Sequence, residues 1–182
     1  MSNSIWAAPI SRNNQPKKAV EVFQKSAEIE PIPNRHNSVA YELAINHLDL
    51  NIAQHYAESA IADTMLKSRM TSLDHLTAED VRLSAALPSY WDTLGWIRFL
   101  QGNHPDAERY IRCAWQVHTV GEIGYHLAQI YEKENRREDA IETYKLALAA
   151  PRPMPETKQA LSTLLGNDVN FDKITDEARP RV

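Results

Sequence analysis

Seven histidines, one cysteine and 24 carboxylates are the side chains with which this 182-residue chain could do acid–base, nucleophilic or metal chemistry. The histidines are His36, His47, His55, His75, His104, His118 and His126. No two are spaced i, i+3 or i, i+4, so no helix face offers a ready pair of metal ligands, and each reads as a surface or loop residue. Cys113 has no second cysteine for a disulfide or a thiolate cage. Beside Ala114 it is expected to be an inert, partly buried thiol. No serine lies in a Gly-x-Ser-x-Gly elbow, and five glycines cannot build a phosphate-cradling loop. Glu132, Glu134, Glu138 and Asp139 interleave with Lys133, Arg136 and Arg137, the pattern of a solvated turn with local ion pairs. With no nucleophile–base pair in view, a non-catalytic protein without cofactor or metal is expected. The remaining chemistry is apolar recognition. Trp96 and Phe99 lie three apart, on one face of any helix that carries them.

Composition points to helices as that framework. The chain is 43% hydrophobic and 24% charged, poor in Gly and rich in Ala, Leu, Glu and Lys, with no sustained alternation of β-branched residues. That favours an all-α fold. The net charge of −4 argues against a nucleic-acid binder, which needs clustered Lys and Arg. No apolar run approaches the roughly 20 residues of a membrane span. Ile5-Trp6-Ala7-Ala8, cut short by Pro9, is too brief for a secretory signal. A soluble protein, cytoplasmic by default, is the expectation.

The chain is punctuated at helical intervals. A polar lead broken by Pro9 and Pro16 precedes a helix over 17–30, with Val20, Phe23, Ala27 and Ile29 as its apolar face. Pro31 and Pro33 should end it, and 34–38 should be a loop. A helix through Val39, Ala40, Leu43, Ala44 and His47, a turn over 48–51, and a helix through Ile52, Ala53, Tyr56, Ala57, Ala60 and Ile61 follow. Residues 67–88 break the rhythm. Thr77 and Asp80 have capping-box spacing for a short helix that Pro88 should stop. Ser89 should then cap a new helix to about Gln101. Pro105 suits the first position of the next helix. Helices over 123–134, 137–150 and 156–165 complete the series, with Gly166 as a C-terminal stop. Val169, Phe171 and Ile174 are the only apolar anchors of a tail that is loosely ordered or docked by them.

A register underlies these helices. The triplet Ala19, Phe23, Ala27 recurs as Ala53, Ala57, Ala60, as Ala107, Ile111, Ala114, and as Ala140, Tyr144, Ala147. The first members are 34, 54 and 33 residues apart, so one interval holds about 20 extra residues. Trp91, Leu94 and Gly95 precede one triplet, with Arg98 next; Leu127, Ala128 and Tyr131 precede another. Small residues here let paired helices approach closely. This pattern resembles the tetratricopeptide repeat, W-x2-L-G-x2-Y then A-x3-F then P, with Arg98 standing where tyrosine is usual. The resemblance implies a short all-α solenoid of antiparallel helix pairs. Its parts are a degenerate partial repeat (1–33), a repeat (34–66), an insertion with a short helix (67–88), two repeats (89–120 and 121–153), a capping helix (154–166) and a tail (167–182).

In that family the first helix of each pair lines a concave groove that holds a peptide or partner helix. Carried over by register, the groove would be lined by Glu42, Ile45, Asp92, Trp96, Phe99, Tyr125, Gln129 and Glu132. Trp96, Phe99 and Tyr125 would be apolar anchors, and Asp92, Glu42 and Glu132 would favour basic residues. The family's basic carboxylate clamp is missing at these positions. The resemblance therefore implies a protein–protein interaction scaffold, with Trp96 and Phe99 either open or covered by the insertion. The alternative is a structural spacer or self-association module, a homo-oligomer joined through its N-terminal helices. A narrower likeness exists in Asp-Thr-Leu-Gly-Trp (92–96), His-Leu-Ala-Gln-Ile-Tyr-Glu-Lys (126–133) and Pro-Glu-Thr-Lys (155–158). These resemble the C-terminal repeat region of larger bacterial proteins with an upstream transglutaminase-like domain, which implies a detached, extracytoplasmic portion of such an enzyme.

Overall fold

The computed structural model describes residues 16–166 and 168–182. Among them are nine α-helices, two 3-10 turns and no strand. The helices are α1 (Pro16–Ile29), α2 (Pro33–Ile45), α3 (Leu50–Met70), α4 (Ala78–Leu100), α5 (His104–Val117), α6 (Gly121–Lys133), α7 (Arg137–Ala149), α8 (Glu156–Leu165) and α9 (Phe171–Ala178). The chain divides into two compact units, one ending at Gly102 and one beginning at Asn103. The expectations for residues 1–15, including the Pro9 break, lie outside the described residues.

In the first unit α1 packs on α2, α2 on α3, and α4 against both α2 and α3. In the second, α6 packs on α5 and α7, and both α8 and α9 pack on α7. The register explains which faces meet. All twelve residues of the four triplets are buried, from Ala19, Phe23 and Ala27 through Ala140, Tyr144 and Ala147. They lie four and then three or four residues apart, so each set forms a narrow stripe. Alanine in that stripe brings backbones close, and the rings of Phe23 and Tyr144 fill what the small residues leave.

Local signals set several helix ends. Thr77 and Asp80 form the capping box, each side chain bonding the other's backbone N–H. Asp49 caps α3, accepting from the N–H groups of Asn51 and Ile52. Gly166 closes α8 at φ 102°, in the left-handed region that costs glycine little. Pro105 occupies the second position of α5 rather than the first, with Asn103 as the cap. The tail is docked: α9 lies on α7, Ala178 is buried, and Arg181 pairs with Glu142.

Three expectations are corrected. Residues 34–38 are helix, because Pro33 opens α2 at its first turn instead of ending α1, and its ring is buried. Ile29 is 75% exposed, since it lies more than a quarter-turn from the stripe of Ala19, Phe23 and Ala27. The largest correction concerns 67–88. Pro88 does not stop a helix, and Ser89 does not cap one; α4 runs unbroken from Ala78 to Leu100 with Pro88 buried inside it. The extra residues lengthen α3 and α4 into a long hairpin, tied near its tip by Ser68 Oγ to Ser84 Oγ (3.2 Å) and Thr71 Oγ1 to Asp80 (3.3 Å). The proline ring sits where side chains are buried, and that packing offsets only part of the lost hydrogen bond.

Candidate functional site

The hairpin answers whether the insertion covers Trp96 and Phe99. Residues 78–88 continue the same helix that carries Trp96, so Val81 lies about 22 Å away along the axis and cannot fold back over it. Trp96 and Phe99 are both half-buried. Their rings stack at 5.0 Å with planes 23° apart, a single aromatic surface one helical turn long. Trp91 is half-buried and Leu94 buried, so the stretch supplies core and surface from one turn.

The departure at Arg98 has a visible consequence. Its guanidinium donates to Gln54 Oε1 (3.1 Å) and to Glu58 Oε1 (2.9 Å) on α3. Gln101 also donates to Gln54 Oε1 (3.1 Å), and Gln54 donates to Glu58 (2.8 Å). Where the family pattern has a tyrosine, this chain ties α4 to α3 with a charge-assisted network. Position 98 stood out in the sequence; its partners, 40 and 44 residues away, did not.

The other expected groove residues of the first unit differ in exposure. Glu42 is half-buried; burial raises its carboxyl pKa, and the amide of Asn46 counters this. Ile45 is exposed at the end of α2. Asp92 is only 5% exposed, which corrects its place among rim charges. Thr93, Leu94, Gly95 and Ile97 beside it are buried too, so α4 is enclosed nearly all round at this turn.

In the second unit Tyr125, Gln129 and Glu132 follow at i, i+4 and i+7 along one face of α6. Tyr144, fully buried on α7, organises them. Gln129 Nε2 donates to Tyr144 Oη (2.9 Å) and to Tyr125 Oη (3.1 Å), while Tyr144 donates to Glu132 Oε2 (3.0 Å). The two tyrosine rings meet at 5.7 Å. Burial pushes the Tyr144 phenol far above its ordinary value, and the Glu132 carboxylate pushes it further. Tyr125 is raised by burial and then by Glu156 and Glu132, so this surface is acidic around its ring. Tyr144 had registered only as a packing residue; its hydroxyl holds Gln129 and Glu132 directly, and Tyr125 through Gln129.

His126 is 4% exposed, in the core of α6 and not on the surface. Cys113 is exposed rather than partly buried: it lies about 100° around α5 from Ala114 and points off the stripe. One constellation escaped the sequence. Ser59 Oγ lies 3.1 Å from His36 Nδ1, and Asp63 lies 3.5 Å from that hydroxyl and 3.9 Å from Nδ1. Both partners crowd the same ring nitrogen. A nucleophilic triad needs one partner on each nitrogen, so this is a polar tie between α2 and α3. Among the described residues no group of three or more His, Cys, Asp or Glu is placed to hold a metal, and no helix is long and apolar enough to cross a membrane.

Among known families, the tetratricopeptide repeat matches residues 122–152, which span α6 and α7. No curated protein matches the sequence. Repeats of this type mediate protein–protein interaction and are typically non-catalytic.

Proposed function

We propose, from the premise that this chain carries a tetratricopeptide repeat and is built of paired helices in the same register, that it is a scaffold docking a peptide or partner helix on the first helices of its pairs. The observation that carries this reading is the face of α6 within the matched repeat. Tyr125, Gln129 and Glu132 line it, and Tyr144 holds them in place without occupying the surface. Preorganised side chains lose little entropy on binding. The aromatic ring beside carboxylates favours a segment in which an apolar residue is flanked by lysine or arginine. The other unit has a docking surface of its own in the stacked Trp96–Phe99 pair, with tryptophan among the residue types that dominate binding energy. Glu42 supplies negative charge there, and Ile45 supplies exposed apolar surface.

Selection from a displayed library of random peptides tests this. Enriched sequences should combine an aliphatic or aromatic residue with basic neighbours. Trp96→Ala/Phe99→Ala and, separately, Tyr125→Ala should each lose binding at unchanged helicity. Unfolding of the double variant would make those rings core, and enrichment of acidic peptides would refute the charge preference.

A further inference from the structure

The outer half of α3 carries a surface that the docking reading leaves unused. Ala62, Met65, Leu66, Arg69 and Met70 fall at i, i+3, i+4, i+7 and i+8, which makes one stripe. It lies opposite the buried stripe of Ala53, Ala57, Ala60 and Thr64. All five are exposed, with Met65, Leu66 and Met70 at 43, 59 and 79%. Toward the N-terminus the same face is polar, with Asn51, His55 and Glu58. The change to apolar falls where α3 extends into the hairpin.

One edge of this stripe reads Glu58, Ala62, Met65, Arg69, with steps of four, three and four residues. That spacing is the same in both directions. When two copies of a helix pair antiparallel about a two-fold axis, residues on the same edge face each other in reversed order. Glu58 then meets Arg69 of the second copy, and Ala62 meets Met65, twice over. Opposite charges pair, and a large side chain sits on a small one. Glu58 remains competent for this: Gln54 and Arg98 both bond its Oε1, leaving Oε2 as an acceptor. We infer that α3 is a homodimerisation surface, its occupant a second copy of this chain in antiparallel, isologous contact centred between Ala62 and Met65. A single stripe is smaller than the about 800 Å² per partner of a standard interface, so the dimer is weak.

Sedimentation equilibrium of the full chain between about 1 and 500 µM tests it. The wild type should pass from monomer to dimer across that range. Arg69→Glu sets two carboxylates together, and Ala62→Met sets two large side chains together; each should weaken dimerisation about tenfold or more. Ala62→Met/Met65→Ala reverses the size pairing and should restore dimerisation to near the wild-type constant. All three positions are exposed, so helicity should be unchanged. Amide exchange over residues 58–70 should slow in concentrated wild-type protein, a readout independent of any variant. A chain that stays monomeric throughout, a dimer indifferent to both single changes, or a double variant no better than Ala62→Met would overturn the inference.

Discussion

Replacing Pro88 by alanine should stabilise the first unit. Proline inside a helix lacks the N–H that would bond the carbonyl of Ser84, and its ring crowds that carbonyl, a penalty of about 3 kcal/mol relative to alanine. Against this, the Pro88 ring is buried in α4, and Pro88→Ala removes two buried methylene groups at about 0.8 kcal/mol each. The cavity term is small, because the neighbouring Leu87 and Ala86 are only half-buried and can settle inward. The balance is a gain of about 1 kcal/mol, or about 4–8 °C in melting temperature for a unit of this size. Urea unfolding followed by circular dichroism at 222 nm measures the first, and thermal melting the second. Amide exchange should also show a protected new N–H at position 88. A loss of 1 kcal/mol or more would refute the reasoning. It would mean that the ring is a wedge holding α3 and α4 apart, worth more than the hydrogen bond it prevents.

Gly121→Ala should be strongly destabilising, by about 3 kcal/mol, because a Cβ there would stand 2.5 Å from Pro153 Cα and 2.7 Å from the Arg152 carbonyl oxygen, backbone atoms that cannot yield. Gly124→Ala should cost less, since its Cβ meets the Ala147 methyl and the Trp115 ring, both at 2.8 Å, and a ring can turn; chemical denaturation of the two variants gives the order, and equal costs would contradict it. Tyr144 has a folded-state pKa raised above its unfolded value near 10, so its contribution to stability is full below pH 10 and is lost as pH climbs toward the folded value. Alkaline unfolding followed by tyrosinate absorbance should therefore set in above pH 10 together with loss of helicity, and Tyr144→Phe should move it to higher pH. Helicity lost at the same pH in the wild type and in Tyr144→Phe would refute that linkage.

Much of this molecule was legible from one kind of signal. The four small-residue triplets predicted which face of each helix is buried, and every member is. They could do so because a helix has a fixed pitch: three residues at the right spacing determine a direction, whatever it meets. Thr77 with Asp80 and Gly166 were readable too, since they act within a few residues of themselves, whereas the cap expected at Ser89 gave way to an unbroken helix. The two prolines at 33 and 88 were misread for a shared reason. Proline's local effect is known, but whether it begins, ends or rides inside a helix depends on what packs around its ring.

For the candidate site, sequence alone determined the positions: Tyr125, Gln129 and Glu132 on one helical face, and Trp96 with Phe99 on another. It could not rank them. Burying Asp92 and His126, exposing Cys113, hanging Gln129 and Glu132 on the Tyr144 hydroxyl, and answering Arg98 with Gln54 and Glu58 were left to tertiary contact. Those outcomes depend on partners 12 to 44 residues distant, and a side chain's exposure and charge environment belong to the neighbours that fold against it. Helical periodicity is a property of the chain itself, and so it was present before any fold.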